Sequence, residues 1–505
     1  MPEGDANAAL SDLQAIRRDK AERLRAAGID PYPPRAQRTH TTTAALEHYQ
    51  RIESTPPDPH DHEAIVLTGR IISLRHMGKT VFAHLRDGHG ELQLYIRRDE
   101  LGDPAYEDLL KHYDLGDFVQ ASGTMFRTNA GEVSLRVGSI TMLAKSLNAP
   151  PEKWHGLTDV ELRYRQRYAD LIANAEVRQV FQIRSATITA VRRFLDSRGF
   201  IEVETPTLQP LYGGAAARPF VTRYHALDQD FFLRIADELY LKRLLVGGFE
   251  RVYEICKDFR NEGIDRNHSP EFTMLEFYEA YADYTTIMET VEALVRAAAL
   301  ESLGTTTLDY QGTTIELDHI PWPRLTLRQA IRDAAGVDYR KHPEQASLLA
   351  AARDAGADIA PGTVWPRIVD ELLKQFVRPI LIQPTFLIDY PVALSPLAKR
   401  KPNDPEHAER FQLFIGGGEL ANAFTELNDP MDQLARFQEQ ARDRAAGDEE
   451  AMPIDNDFVN ALMYGMPPTG GVGIGIDRLI MLFTGQPSIR DVILFPAMRN
   501  LPAER

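Results

Sequence analysis

Hydrophobic and polar residues alternate in different ways along this chain, and each pattern predicts a different element. Residues 11–27 (SDLQAIRRDKAERLRAA) are spaced as a helix. Ser11 can cap its start, Gly28 can end it, and Pro31 prevents it from resuming. Residues 32–62 are polar, contain prolines and show little periodicity. From Ala64 to Leu143 the period shortens to two. The runs IVLTGRIISLR, TVFAHLRD, GELQLYIRR, DFVQASGTMFR and VSLRVGSITML read as strands, with a helical segment, PAYEDLLKHY, between the third and the fourth. Residues 147–160 (LNAPPEKWHGLTDV) break the pattern and mark a domain boundary. Val177 to Arg198 returns to helical spacing, with Val180, Ile183, Ile188, Val191 and Leu195 apolar and Gly199 as the stop. Leu233-Arg234-Ile235 is strand-like, and Glu238 falls at a helix start. Arg251 to Tyr284 reads strand, loop, strand; residues 285–380 read as mainly helical. Arg410 to Pro430 alternates around a Gly turn, residues 431–463 read as helical and charged, and GGVGIGIDRLIMLFTG is a Gly-rich strand running into a helix.

Five strands with a helix between the third and fourth match the plan of an OB-fold barrel, which binds single-stranded nucleic acid by stacking bases on aromatic side chains. A length of 505 residues requires at least one further domain. Hydrophobic content of 43% and charged content of 26% are ordinary for a soluble protein, and no apolar run is long enough to span a membrane. The first twenty residues lack the apolar core of a signal peptide. The only cysteine, Cys256, excludes an intrachain disulfide and any Cys-rich zinc site. A cytoplasmic location with no membrane partner is the expectation. A formal charge of −16 argues against a protein coated in basic surface for nucleic acid. It leaves local basic faces open, such as Arg17, Arg18, Lys20, Arg23 and Arg25, which suit either solvent or RNA.

The loop between Arg260 and Pro270 concentrates chemistry. Arg260 offers a planar fork for phosphate oxygens, Glu262 can accept from an exocyclic amine, and Phe272 offers a π-face to a purine. Such a hairpin can hold a triphosphate and an adenine against a sheet, or it can be a surface hairpin with solvated charges. Residue types alone leave both open.

Three stretches together go further. FRNEG followed by HSPEFTMLEFYEAYADY resembles motif 2 of class II aminoacyl-tRNA synthetases in its lysyl form. GFIEVETPTLQP (Gly199 to Pro210) resembles motif 1, and GVGIGIDRLIMLF (Gly471 to Phe483) resembles motif 3. The similarity to bacterial-type lysyl-tRNA synthetases runs from about residue 19 to residue 499, in the expected order. It implies an α+β fold of several domains: an N-terminal helix and extension (1–62), an OB-fold anticodon-binding barrel (63–146), a linker (147–160) and a class II catalytic domain (161–505) whose antiparallel sheet is flanked by helices. It also implies a homodimer joined through the motif 1 helix and strand, ligation of L-lysine to tRNA(Lys), and use of ATP and Mg2+ through a lysyl-adenylate.

The same resemblance implies the site. Arg260 would meet the α-phosphate, Glu262 and Phe272 the adenine, and His268 the outer phosphates. Gly475 would approach ATP through its backbone, and Arg478 would lie at the γ-phosphate and under adenine; Arg260 and Arg478 are the expected catalytic pair. Gly214, Glu238, Arg260, Glu276, Tyr278, Asn422, Phe424 and Glu426 would bind lysine. The logic fits the substrate, because an ammonium on an apolar stem wants carboxylates at its far end and aromatic walls along it. Phe82, Gln93 and Glu132 match anticodon-binding positions, although each also suits an ordinary strand residue. Glu419 matches a ligand of magnesium and ATP. The second metal position, seven residues earlier, is usually Glu and here is Gln412, which carries no charge, so a weaker metal site is expected. Ala393 stands where an acid is usual. These two departures leave a second reading, a catalytically impaired synthetase-like RNA-binding or regulatory protein.

Overall fold

A computed structural model describes residues 11–54, 64–151, 157–445 and 451–500, with the side chain of residue 443 excepted. The stretch before Ser11, the end of 32–62 and the middle of the 147–160 connector lie outside the described residues. The chain divides into two compact units, residues 1–157 and 158–505, and the division falls inside that connector.

The smaller unit begins with α1 (Asp12–Ala26), whose cap is reciprocal. The Ser11 hydroxyl accepts from the Gln14 N–H, and the Gln14 side chain accepts from the Ser11 N–H. Four of its five cations have partners: Arg17 donates to the carbonyls of Leu115, Ser146 and Asn148, Lys20 pairs with Asp114 at 2.7 Å, Arg23 pairs with Asp19 at 2.6 Å, and Arg18 lies 3.8 Å from Glu22. Residues 32–62, aperiodic in the sequence, contain a second helix, α2 (Thr42–Glu53). It buries only Thr42 and Ala45, so no apolar stripe announces it; Asp87 anchors it by accepting from the Thr42 N–H and hydroxyl. The strands β1 (Ile65–Met77), β2 (Thr80–Arg86), β3 (Glu91–Arg97), β4 (Phe118–Arg127) and β5 (Val133–Ala144) close a barrel in the order β1-β2-β3-β5-β4. The short α3 (Arg98–Leu101) and α4 (Asp103–His112) lie between the third and fourth strands. This is the OB plan. Its alternate residues, Leu67, Val81, Ala83, Leu85, Leu94, Ile96, Val119, Leu135 and Val137 among them, fill the barrel interior.

The larger unit opens with α5 (Val160–Arg165), α6 (Arg167–Ala173) and the long α7 (Ala175–Ser197). Then come β6 (Ile201–Glu202), β7 (Leu208–Gln209), β8 (Val221–Tyr224), β9 (Gln229–Leu233), α8 (Glu238–Val246), β10 (Arg251–Phe259) and β11 (Glu271–Ala280). The strand expected over 233–235 ends at Leu233. After α9 (Tyr284–Leu303), the region read as mainly helical also holds a hairpin, β12 (Thr307–Tyr310) with β13 (Thr313–Glu316), and β14 (Arg324–Thr326). Its helices are α10 (Leu327–Ala335), α11 (Gln345–Asp354) and α12 (Trp365–Leu372). The chain closes through β15 (Thr385–Pro391), β16 (Arg400–Lys401), β17 (Asp404–Ile415), β18 (Gly418–Thr425), α13 (Pro430–Ala445), α14 (Asn456–Met463), β19 (Thr469–Gly475) and α15 (Ile476–Thr484).

Eight strands form one path, β14-β15-β17-β18-β19-β11-β10-β6, with β16 beside β17; the central pairs are antiparallel. The two faces of this sheet follow from period two. Tyr253, Leu275, Phe277, Phe411, Leu413, Ala421, Ala423, Val472 and Ile474 point to one side and pack with α7, α9 and α15 into the main core. Their neighbours in sequence point to the other side, and that side carries the site. No helix among the described residues is long and apolar enough to cross a membrane.

Candidate active site

Rows of residues cross the open face of β17, β18, β19, β11 and β10. The first row runs Arg410, Phe424, Gly471, Tyr278. The second runs Gln412, Asn422, Gly473, Glu276, Glu254. Beyond them Gly475 pairs Met274, which pairs Cys256, and Phe272 pairs Asp258. At the rise of an extended strand, Tyr278 and Phe272 mark the ends of a floor about 20 Å long. A cavity of about 480 Å3 lies over it. Gly214, Glu238, Arg260, Glu262, His268, Phe272, Glu276, Tyr278, Glu419, Asn422, Phe424, Gly475 and Arg478 all line this one cavity. Residues spread over more than 260 positions of chain thus meet because the sheet register brings them together.

One end is acidic. Glu238, Glu276 and Glu426 are buried, and Glu276 Oε2 accepts from the Tyr278 hydroxyl at 2.8 Å. Burial raises the pKa of Glu238 and Glu276, the second also through the neighbouring Asp237 and Glu238. Glu426 is pushed up to about 8, by burial first and by Glu238, against the pull of Lys242. Carboxylates raised in this way gain from any cation that reaches them. Lys242, one helical turn after Glu238 and fully buried, supplies part of that charge: its ammonium pairs with both Glu238 and Glu426. The contact with Glu426 is an ion pair without hydrogen-bond alignment. Glu426 itself is not on the cavity wall. It lies directly behind Gly471, where an added Cβ would sit 2.3 Å from both Glu426 Oε1 and the Tyr278 ring. Only glycine leaves this acid and this ring room to meet.

The other end is cationic and aromatic. The Arg260 guanidinium carbon lies 5.0 Å from the centre of the Phe272 ring, and its Nε donates to the Ile235 carbonyl at 3.3 Å. Glu262 and His268 sit on the exposed loop, where Asp265 faces the His268 ring at 2.8 Å. Arg478, in the first turn of α15, donates to the Glu419 carbonyl at 2.9 Å. That bond ties the helix start to the head of β18.

The two expected metal residues both lie beside Tyr390 but differ in their access to the cavity. Glu419 lines the cavity; Gln412 does not. Gln412 is buried, and its amide oxygen accepts from the Tyr390 hydroxyl at 2.6 Å. Glu419 alone still suits Mg2+, which often takes one or two protein carboxylates and completes its shell with phosphate and water. Ala393 lies in the single turn Val392–Leu394, and nothing there explains its exchange.

Two further residues belong to the site and were not singled out from the sequence. Arg410 lines the cavity, donates from Nε to Asn422 Oδ1 at 3.0 Å, and stands 4.6 Å and 5.6 Å from the rings of Tyr390 and Phe424. Its place two residues before Gln412 on an alternating strand was the available signal. Lys242 was legible as the i+4 neighbour of Glu238 on α8.

In the smaller unit Phe82, Gln93 and Glu132 converge on the outer face of the barrel. Gln93 Nε2 donates to Glu132 Oε2 at 2.6 Å, and Ser134 donates to Gln93 Oε1 at 2.8 Å. The rings of Phe82, Tyr95 and Phe126 follow one another at 5.3 and 5.2 Å, and Arg136 caps Phe126 at 4.6 Å. An aromatic ladder beside an amide–carboxylate pair has the chemistry to stack bases and to hydrogen-bond their edges.

Comparison with known proteins agrees with both units. Residues 159–499 match the family described as tRNA synthetases class II (D, K and N), and residues 65–143 match the OB-fold nucleic acid binding domain. The lysine–tRNA ligase of Roseiflexus castenholzii is 57% identical over 493 residues, covering 97% of this chain and 99% of that protein. Those of Pelotomaculum thermopropionicum and Moorella thermoacetica are each 54% identical, covering 97% of this chain and 95% and 98% of their own.

Proposed function

The chain belongs to the lysine–tRNA ligases within the class II tRNA synthetases, and from that membership we propose how its residues ligate L-lysine to tRNA(Lys). The observation that carries the residue assignments is the polarity of the floor: buried carboxylates and Tyr278 at one end, Arg260, Phe272 and Arg478 at the other.

ATP binds at the Phe272 end. Its adenine stacks on Phe272 and under Arg478, Glu262 accepts from the exocyclic amine, and Gly475 allows close backbone approach. Arg260 holds the α-phosphate, and His268 and Arg478 the outer phosphates. The side-chain ammonium of lysine reaches the Tyr278–Glu426 end. Its α-amino and carboxylate groups lie over the middle row, where Glu276 and Asn422 project and Glu238 and Gly214 close in. Phe424 walls the stem, and Arg410 orients Asn422.

No protein nucleophile is needed. The lysine carboxylate is ionised at neutral pH and attacks the α-phosphorus in line, and pyrophosphate leaves. Arg260 bridges both reactants and stabilises charge that grows on the phosphoryl oxygens. The terminal ribose hydroxyl of tRNA then attacks the adenylate carbonyl and AMP leaves. Glu419 would hold Mg2+ there, and the ion when bound would neutralise charge on the triphosphate. The barrel reads the anticodon: Phe82 stacks a base, and Gln93 and Glu132 meet base edges. A homodimer fits the exposed apolar Ile201 on β6, a strand with one open sheet edge, together with exposed Leu208 and Val221. The cytoplasm suits a ligase that serves translation. The second reading, an impaired RNA-binding protein, draws no support from a cavity that brings Arg260, Glu262, Phe272 and Arg478 together.

The test is ATP–pyrophosphate exchange with each of the twenty amino acids in turn. Exchange with lysine alone is expected. Exchange with aspartate or asparagine, or with none in a folded protein, overturns the assignment.

A further inference from the structure

Beneath the cavity the chain buries a group of acids and its one thiol. Glu254 and Glu276 have partners: Arg234 donates to Glu254 at 2.7 Å, and Tyr278 donates to Glu276. Asp237 and Asp258 are different. Both are 0% exposed; no N–H or hydroxyl donates to either carboxylate oxygen of Asp237, whose one hydrogen-bonding neighbour is the Glu276 carboxyl and only if one of the two holds a proton, and Asp258 Oδ2 has no donor. An unpaired buried carboxylate costs several kcal/mol unless it is protonated or meets a cation. Asp237 occupies the N-cap position of α8, where aspartate ordinarily accepts from helix N–H groups, but its side chain makes no such bond. Its carboxylate instead shares a space with the Cys256 thiol and Asp258, and the donor atoms of all three lie within 4.8 Å of one another. Two cations offset the charge of Asp258 in part. Arg260 acts on it through space, and Arg234, whose Nε donates to the Lys257 carbonyl, pairs with it at 3.6 Å; neither donates a hydrogen bond to it.

We propose that Asp237, Cys256 and Asp258 form a buried site for a divalent cation of the zinc class, separate from the magnesium that accompanies ATP. Cys256 and Asp258 are i and i+2 on β10, so their side chains leave the same face of the strand. Cys256 Sγ lies 3.6 Å from Asp258 Oδ1. A sulfur and an oxygen bound to one tetrahedral zinc stand about 3.5 Å apart. Asp237 closes the triangle from the start of α8 through one oxygen, and the fourth tetrahedral corner would be taken by water. The thiolate selects zinc, cobalt or a similar ion and disfavours magnesium, which prefers oxygen alone. Binding expels the thiol proton and any proton on the two aspartates, and two positive charges then meet three negative ones beside Arg234. Burial and like charges raise Asp237, Asp258 and Cys256 in the absence of a cation, as expected for a site built around one. The ion would tie the helix that begins at Glu238 to the strand that leads into Arg260. It would thus hold a lysine contact and a phosphate contact in fixed relation without touching substrate.

The experiment is metal analysis of the full-length protein purified without a polyhistidine tag, followed by cobalt titration of chelator-treated protein. The expected result is about one zinc per chain, and with cobalt a near-ultraviolet thiolate-to-metal band. Cys256→Ser should abolish the band, and Asp237→Asn should reduce zinc at least tenfold. The wild-type measurements stand even where a variant does not fold. Two results overturn the proposal. One is wild type free of zinc with no cobalt–thiolate band, which leaves the acids protonated instead. The other is zinc content unchanged in both variants, which marks the ion as adventitious.

Discussion

Replacing Glu426 with glutamine tests the acidic end most directly. The side chain keeps its size and loses its charge at a site with 0% side-chain exposure. At an effective dielectric near 20, two opposite charges about 4 Å apart attract by about 4 kcal/mol. Losing one member of a buried pair costs about 3–5 kcal/mol. At roughly 1.4 kcal/mol per tenfold, the range is about 140- to 3700-fold. The lower end is the better expectation, because Lys242 already neutralises part of Glu426, and in the variant it retains Glu238 as a partner. Lysine-dependent pyrophosphate exchange should therefore lose about 140-fold in kcat/KM for lysine, with most of the loss in KM. The KM for ATP should stay within about twofold, because the purine end lies about 20 Å away along the strand. A lysine effect below about fivefold, or an equal effect on ATP, would falsify the placement of the substrate ammonium at this end.

The remaining expectations concern pH, the metal, the glycine strand and the barrel. Because burial raises Glu426 to about 8 against the pull of Lys242, its charge is lost progressively as the pH falls through that value, and the full effect of Glu426→Gln is read at pH 8 or above. The KM for lysine should fall as pH rises from 6 towards 8, by at most about tenfold per unit, and this slope should vanish in the Glu426→Gln variant; a flat wild-type profile contradicts the assignment. Gln412→Glu should leave the magnesium concentration for half-maximal exchange within about twofold, since residue 412 faces Tyr390 and not the cavity; a tenfold shift places it in the metal site after all. Gly471→Ala should raise the lysine KM at least about tenfold by forcing Tyr278 and Glu426 apart, with overpacking of about 1–3 kcal/mol visible as a lower unfolding midpoint. Phe82→Ala should raise the KM for tRNA roughly tenfold or more, at about 1–3 kcal/mol per stacked base, and leave lysine-dependent exchange unchanged; loss of exchange would point to misfolding instead.

Much of the architecture was legible in the sequence because it rests on spacing. The five barrel strands follow from period two, α1 from its cap and stop, and the hairpin of β10 and β11 from two apolar runs around a polar loop. The elements that escaped have weak local signals. α2 buries only Thr42 and Ala45, and the β12–β13 hairpin and β14 are three or four residues long. Such elements exist because neighbours anchor them, as Asp87 anchors α2.

The sequence by itself determined which side chains are available and which of them share a strand face: Phe272, Glu276 and Tyr278 on β11, Asn422 and Phe424 on β18, and the three alternate glycines of β19. Alternation is a property of the local chain, so no knowledge of distant residues was needed. Only the tertiary structure decided what each side chain meets. Register across five strands put Glu276 beside Gly473 and Asn422, and α8 brought Lys242 between Glu238 and Glu426. The same packing moved Gln412 off the cavity wall towards Tyr390 and left Asp237 facing Cys256 and Asp258. Charge and hydrogen-bond partners act through space over a few ångströms, and residues that close are often hundreds of positions apart in the chain.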